Sequence, residues 1–282
     1  QCIGIPKTVD NDLPYTDCSP GFGSVAKYVA TSTLEAGLDV KSMAETSTKV
    51  FVLEVMGRHA GWIAAASCLA ASNQGDPPHI ILLPEIPFEK NKFIARVKET
   101  VKKYGYCVIV ASEGTKTKTG KFLADSGLTD AFGHKQLGGV APVISSMISK
   151  IGLKNHWAVA DYLQRSARHI ASKTDLDQAY AVGEHAVKLA VAGKTAVMPV
   201  IKRLSDTPYK WQIGTAPLKN IANIEKSVPR KFISKDGFAV TSAGRRYLNP
   251  LIQGEAPTNF KHGIPEVALL KKSFVEKKLK KF

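Results

Sequence analysis

Three runs of strand length are apolar almost without interruption: Lys49-Val50-Phe51-Val52-Leu53-Glu54-Val55, His79-Ile80-Ile81-Leu82-Leu83-Pro84-Glu85, and Cys107 to Ala111. A strand that is wet on one face alternates polar with apolar residues, so unbroken runs predict strands covered on both faces. The segments between them read as helices. Trp62 to Ala71 is nearly all Ala and apolar residues, and Phe93, Val97, Val101 and Tyr104 mark one face at the 3.6-residue period. Strands alternating with helices at this spacing predict the α/β class, with a parallel, doubly wound sheet. Such sheets bind ligands outside the carboxyl ends of their strands, so chemistry is expected in the loops that follow them.

The richest of these loops opens the chain, in Gly4-Ile5-Pro6-Lys7-Thr8-Val9-Asp10-Asn11-Asp12. A short apolar run, Cys2-Ile3-Gly4-Ile5, leads to Pro6, which ends a strand and fixes the exit angle. A cation, a hydroxyl and two carboxylates follow. Asp and Asn bond the local backbone and favour turns, which puts the group in a loop. Lys screens phosphate charge and an Asp accepts the proton of an attacking hydroxyl, a composition suited to phosphoryl transfer. A polar turn with a capping Asp fits the same composition. Met56-Gly57-Arg58-His59-Ala60-Gly61 follows the first apolar run, with glycines that permit close backbone approach and an Arg suited to bidentate phosphate contact. Ser112-Glu113-Gly114 ends the third, and Asp161-Tyr162-Leu163-Gln164-Arg165 follows a shorter strand, His156 to Ala160.

The string Pro6-Lys7-Thr8-Val9-Asp10-Asn11-Asp12 resembles the catalytic loop of the phosphofructokinases, in the form carried by their pyrophosphate-dependent branch. With gaps, the resemblance runs to about Ile201 and rests on several motifs. It implies that Asp10 is the general base toward the 1-hydroxyl of fructose 6-phosphate. Thr8 would contact the transferred phosphoryl group, with Val9 beside it in the substrate-binding set, and Asp12 would assist the magnesium and phosphate environment. Lys7 would mark a pyrophosphate user, since ATP users carry a small residue there. Met56-Gly57-Arg58 resembles the family's sugar-phosphate triplet, and Glu113 stands where a Glu binds sugar hydroxyls. Tyr162-Leu163-Gln164-Arg165 resembles the later substrate motif, whose first position and Arg reach the 6-phosphate. Lys49, before Met56, and His156, before Tyr162, stand where the family places cations that reach a neighbouring subunit's site. The resemblance therefore implies a homo-oligomer, dimer or tetramer, with shared sites. Gly133-His134-Lys135-Gln136-Leu137-Gly138-Gly139 echoes an ATP-type string, but Leu137 replaces its Arg, and His134 is set aside as a decoy.

The net charge of +15, from 39 Lys and Arg against 24 Asp and Glu, suits anionic substrates such as sugar phosphates and pyrophosphate. It would also suit nucleic acid, but the sequence has no helix-turn-helix, zinc or RNP pattern. Much of the excess lies in the tail, Lys271-Lys272, Lys277-Lys278 and Lys280-Lys281, interleaved with Phe274, Val275 and Leu279, which reads as a solvated amphipathic terminal helix. No run approaches the roughly 18 apolar residues of a membrane span. Cys2, Cys18, Cys68 and Cys107 form no C-x-x-C pair, and a reducing cytoplasm is the expected compartment. Further helices are expected from Ser24 to Ala36, behind an N-cap in Ser19-Pro20-Gly21-Phe22-Gly23, from Val140 to Ile151, and from Asp175 to Ala192 before Gly193. Thr195 to Ile201 reads as the last clear strand, Thr115 to His134 as a surface excursion, and Trp211-Gln212-Ile213 with Gly237-Phe238-Ala239-Val240 as short β pieces.

The chain opens on Gln1 in what reads as mid-strand, and the family's Gly-Gly-Asp-Gly donor loop, which cradles pyrophosphate and supplies a magnesium-binding Asp, is not in it. An N-terminal part is therefore expected to be absent, and with it the main Asp ligand of the Mg²⁺ cofactor. The implied fold is the phosphofructokinase fold: two Rossmann-like three-layer α/β domains with parallel-rich sheets, the first incomplete here. Residues 1–18 and 161–282 would form the remainder of the phosphate-donor domain with a C-terminal extension, and residues 19–160 the sugar-phosphate-binding domain. The implied activity is reversible transfer of a phosphoryl group from pyrophosphate to fructose 6-phosphate, without nucleic-acid or membrane partners. An ATP-dependent 6-phosphofructokinase and a non-catalytic sugar-phosphate-binding regulatory subunit stay open. Lys7 speaks against the first and the intact Asp10 against the second.

Overall fold

The computed structural model describes residues 1–129, 135–137, 139–274 and 276–278, without the side chains of 126–129 and 135–137. His134 lies outside the described residues, as do Val275, Leu279, Lys280 and Lys281 of the tail. The apolar runs form strands β1 (Val50–Val55), β2 (Ile80–Leu82) and β3 (Cys107–Ser112). The excursion after β3 folds back through bridges from Thr117 to Phe88 and from Lys116 to Phe122, and then pairs β4 (Asp125–Thr129) with β5 (Lys135–Leu137). With β6 (Asn155–Val159), the main sheet has the order β2-β3-β1-β6, every pair parallel.

Strand parity builds three layers. Val50 and Val52 of β1 face Phe93 and Val97 of helix α3 and Ile144 and Ile148 of α4. Leu53 and Val55 face the other way, onto Phe22, Val25 and Val29 of α1 and Ile63 of α2. The helices span Phe22–Met43 (α1), Trp62–Ala66 (α2), Lys90–Tyr104 (α3) and Val140–Ser149 (α4). Each such side chain, taken fully from water, contributes about 1.5–3 kcal/mol, so the run-and-period pattern is also the energetic core.

After β6 come a single turn, α5 (Leu163–Ser166), the long α6 (Lys173–Val191), and a hairpin of β7 (Val197–Asp206) with β8 (Tyr209–Pro217). The hairpin is antiparallel and longer than the expected strand at 195–201. Gly237 to Val240 forms no strand beyond a bridge from Val240 to Ile233. Ile3 bridges Val197 in parallel, with the Gly4 N–H on the Val197 carbonyl at 2.9 Å, so the loop at 6–12 leaves the carboxyl end of that pairing. Helix α7 (Ser242–Leu248) closes the first core cluster through Leu248, together with Ile201 of β7 and Val182 of α6.

Two expectations fail for physical reasons. Helix α1 outruns the expected 24–36 span, and Ser19 does not cap it; its first amides are satisfied from α6, where Asp175 accepts the Gly21 N–H at 2.8 Å, the Ser24 N–H at 3.0 Å and the Ser24 hydroxyl at 2.5 Å. The expected tail helix does not form over 266–274 and 276–278, where Leu269, Leu270 and Phe274 stand exposed. An isolated helix of that length is marginal in water without a surface to pack on. Among the described residues, no helix is long and apolar enough to cross a membrane.

Candidate active site

The opening loop is held from below. Asn11 takes the left-handed conformation, φ 57°, which Asn tolerates better than most residues, and is fully buried. Its Nδ2 donates to the Tyr247 hydroxyl at 3.0 Å, and its Oδ1 accepts from the Ser19 N–H at 3.0 Å and from Lys226 Nζ at 3.4 Å. The Thr8 hydroxyl accepts the Asp10 N–H at 3.1 Å, which shapes the turn and leaves the hydroxyl proton free to donate outward. Lys226 lies under the loop with its ammonium 5.4 Å from the Trp62 ring centre, and burial pushes its pKa down to about 8.

The loop faces the carboxyl ends of the main sheet. Gly57 and Arg58 leave β1, Glu113 leaves the neighbouring β3, and Asp161 to Arg165 leave β6 on the other side. Glu113 is tied to the β1 turn through its N–H on the Val55 carbonyl at 2.9 Å and through its carboxylate, which accepts the Gly57 N–H at 3.3 Å. Gly114 permits the closest approach: a Cβ there would sit 2.0 Å from the Arg58 carbonyl oxygen. Gly57, at φ 124°, makes the turn on the other side.

These groups share one electric field. Burial raises the Asp10 carboxyl to about 6; Asp12 and Glu113 push it the same way, while Lys7 and Arg58 pull it down. Burial also raises Glu113, against the Gly57 amide and Arg58. A carboxyl near 6 beside two cations is ionised at neutral pH and can still accept a proton, which is what a general base requires.

The other expected residues divide. Arg165 lies over the Tyr162 ring, guanidinium carbon to ring centre 4.3 Å, and Tyr162 and Leu163 are exposed. Val9, Gly21, Gln164, Arg165 and Arg168 line a cleft of about 270 Å³ that also reaches Asp175. Gln164, expected to bind substrate, is only 2% exposed, and both ends of its amide are used inside the protein: Oε1 accepts the Met56 N–H at 3.4 Å and Nε2 donates to the Asp161 carbonyl at 2.9 Å. It therefore braces β6 to the β1 turn. Met56 is half-buried against the first core cluster. Lys49 precedes β1 at the opposite end of the strand from Arg58, with its ammonium on the Ala44 carbonyl; a six-residue strand spans about 20 Å, so Lys49 does not join this chain's own site. His156 is exposed on the edge strand β6.

The sequence reading missed Lys226, Tyr247 and the supporting role of Asn11. Asn11 belongs to the opening loop, but Lys226 and Tyr247 lie in a stretch with no motif, and only the fold brings them under the loop.

The Phosphofructokinase family matches residues 1–190. The pyrophosphate--fructose 6-phosphate 1-phosphotransferase of Halomonas elongata is 66% identical over 281 residues, which is 99% of this chain and 67% of that protein. The protein of the same name from Methylococcus capsulatus is 57% identical over 280 residues, with 99% and 67% covered. The crystal structure of the pyrophosphate-dependent phosphofructokinase from Marinobacter aquaeolei is similar at TM-score 0.90 and 58% identity, over 99% of this chain and 67% of that one. The chain thus spans about two thirds of the length of these relatives. A charged loop at the carboxyl edge of a parallel sheet, a family match over the part that holds it, and relatives aligned along nearly the whole chain lead to one statement: the chain belongs to the phosphofructokinase family.

Proposed function

We propose that this chain, within the protein that carries it, catalyses reversible phosphoryl transfer from pyrophosphate to the 1-hydroxyl of fructose 6-phosphate. The observation that carries the reading is the meeting of Asp10 with Lys7, Arg58 and Glu113 at the carboxyl edge of the sheet. The 1-hydroxyl oxygen attacks phosphorus in line, the bond from phosphorus to the bridging oxygen breaks, and phosphate leaves. The hydroxyl proton passes to Asp10. Lys7 balances the charge that gathers on the leaving phosphate, and Thr8 donates its hydroxyl proton to the transferred group. Arg58 and Arg165 hold the sugar phosphate, and Glu113 accepts from the sugar hydroxyls.

The residues fit Mg²⁺ as the partner of pyrophosphate. Among the described residues, no three His, Cys, Asp or Glu side chains gather into a metal cage. Mg²⁺ is ordinarily held by only one or two carboxylates plus substrate phosphates, and Asp12, beside Asp10, offers a carboxylate that no hydrogen bond or ion pair engages among the described residues. Bound there, the ion would neutralise charge on the phosphate oxygens. Residues 19–160 would form the sugar-phosphate-binding half, with 1–18 and 161–282 in the phosphate-donor half. A cytoplasmic homo-oligomer, dimer or tetramer, fits the exposed edge strand β6 with Trp157 and Val159 uncovered, and would direct Lys49 and His156 to a neighbour's site.

The test is coupled turnover of fructose 6-phosphate by the full-length protein, with pyrophosphate and ATP compared side by side. Turnover with pyrophosphate alone supports the reading and Lys7 as donor selector. Turnover with ATP alone removes Lys7 from that role, and turnover with neither donor refutes the reading in favour of a regulatory, sugar-phosphate-binding subunit.

A further inference from the structure

The segment around Lys226 lies beyond residues 1–190, which the family match covers, yet it touches both the catalytic loop and the stretch after β1. On the catalytic side, the Lys226 N–H donates to the Asp12 carbonyl at 2.6 Å. Its ammonium donates to the Thr16 and Asp17 carbonyls at 3.0 and 2.9 Å and to Asn11 Oδ1 at 3.4 Å. On the sugar-phosphate side, the Lys226 carbonyl accepts the Trp62 indole N–H at 2.7 Å. Close by, the Val228 N–H donates to Glu85 Oε1 at 2.9 Å, and the same oxygen accepts the Gly61 N–H, also at 2.9 Å, from the turn that carries Arg58. Tyr247 adds a second tie, accepting from Asn11 Nδ2 at 3.0 Å and donating to the Asp17 carbonyl at 2.5 Å.

The form of the Lys226 contacts is informative. The half-buried carboxylate of Asp17 is paired with Arg203 at 2.9 Å, and the ammonium spends its three donors on oxygens of the loop rather than on an ion pair. A buried charge is costly unless its hydrogen bonds are all made, and here making them all requires the loop to hold one shape. Losing the ammonium would leave two loop carbonyls and the Asn11 amide oxygen without that donor.

We propose that Lys226 is a positioning residue for phosphoryl transfer: it fixes the loop that carries Asp10 and Asp12 against the turn that carries Arg58, so that base and bound sugar phosphate meet at the right distance. The inference rests on the function proposed above. Phosphoryl transfer depends on positioning, and a displacement of about 1 Å in a reacting group is enough to lower the rate about a hundredfold.

The experiment compares Lys226→Met with Arg245→Met in the full-length protein. Met keeps an apolar stem near Trp62 and removes the ammonium. Arg245 is the control: it ties α7 to the Cys68 and Ala71 carbonyls and bonds no residue of the catalytic loop. Lys226→Met is expected to lower kcat with pyrophosphate at least tenfold, keep KM for fructose 6-phosphate within about threefold, and speed hydrogen–deuterium exchange across residues 8–17. Arg245→Met is expected to lower the melting temperature and leave kcat and that exchange unchanged. The proposal is overturned if Lys226→Met keeps kcat within twofold, if loop exchange is unchanged, or if Arg245→Met lowers kcat as much. Should Lys226→Met not fold, Tyr247→Phe removes only the hydroxyl between Asn11 and Asp17: a lower kcat at constant KM supports the tether, and an unchanged kcat overturns it. Exchange does not depend on turnover, so an inactive wild type refutes the function, whereas unchanged exchange refutes the tether.

Discussion

Asp10 should be a residue that activity needs and stability would be better without. Its carboxyl is held at about 6 against an ordinary 3.8, chiefly by burial. A pKa raised in the folded state means that the fold favours the protonated form. The associated stability is therefore present below the unfolded value and is lost as pH rises through about 6. Asp10→Asn keeps the shape and removes the charge. From the two values, the relief is about 3 kcal/mol at pH 7.5 and about 1 kcal/mol at pH 4.5, where the wild-type carboxyl is already protonated. In a chain of this size, about 3 kcal/mol corresponds to a rise of roughly 5 °C in melting temperature. The same substitution should lower kcat by about two to four orders of magnitude, the usual share of a general base. The assay is thermal unfolding of both proteins at the two pH values, in buffer freed of divalent cations, together with pyrophosphate-dependent turnover. A melting temperature unchanged at pH 7.5, or raised equally at both pH values, would refute the reasoning about burial. Retained turnover would refute the role of Asp10 as base.

In the proposed reaction Arg58→Ala would remove a charged phosphate contact worth about 1.5–3 kcal/mol, so KM for fructose 6-phosphate should rise roughly ten- to hundredfold in steady-state kinetics, with kcat less affected. Asp175→Ala strips the amides of Gly21 and Ser24 of their acceptor at the start of α1 and should lower stability by about 2 kcal/mol in urea unfolding, with little change in KM. Gly114→Ala would place a methyl 2.0 Å from the Arg58 carbonyl oxygen; the turn must shift, and a tenfold or larger rise in KM, of the same kind as for Arg58→Ala, is the expected kinetic signature.

Most of the main sheet was legible because β1, β2 and β3 are buried on both faces and its helices are periodic: Val50 to Val55, Cys107 to Ser112 and the Phe93–Val97 face appear where the runs and the 3.6 period put them. A β piece at Trp211-Gln212-Ile213 was legible, but its antiparallel pairing with β7 was not, because the alternation along β8 marks a strand without naming its partner. The placing of Arg58 and Glu113 at strand ends was readable from local motifs. The internal bonds of Gln164 were not legible, because a motif gives the position of an amide but not what already occupies it. Asp175 reaches the start of α1 from another helix, and Lys226 reaches the loop from far along the chain; neither contact leaves a local signal.

The field at Asp10 explains why such distant support matters. Burial does most to raise its carboxyl, Asp12 and Glu113 add to that, and Lys7 and Arg58 pull it down, so its value near 6 belongs to the surroundings rather than to the residue. Each of the charge contributions varies inversely with distance, and in a half-buried site at an effective dielectric of about 20 a unit charge at 4 Å is worth about 4 kcal/mol, so small shifts in separation move the balance appreciably. In the proposed reaction the arriving phosphates pair with Lys7 and Arg58 and cancel their pull. The carboxyl of Asp10 then rises further, toward the working pH, as the ground-state complex forms, which makes it a stronger proton acceptor when the hydroxyl is about to attack. That gain survives only if the loop cannot retreat from the incoming negative charge. Asp10 and Asp12 would otherwise be driven away from the phosphates by repulsion. The Asn11–Lys226–Tyr247 ties set a neutral-to-positive footing beneath two carboxylates and keep them where repulsion alone would not.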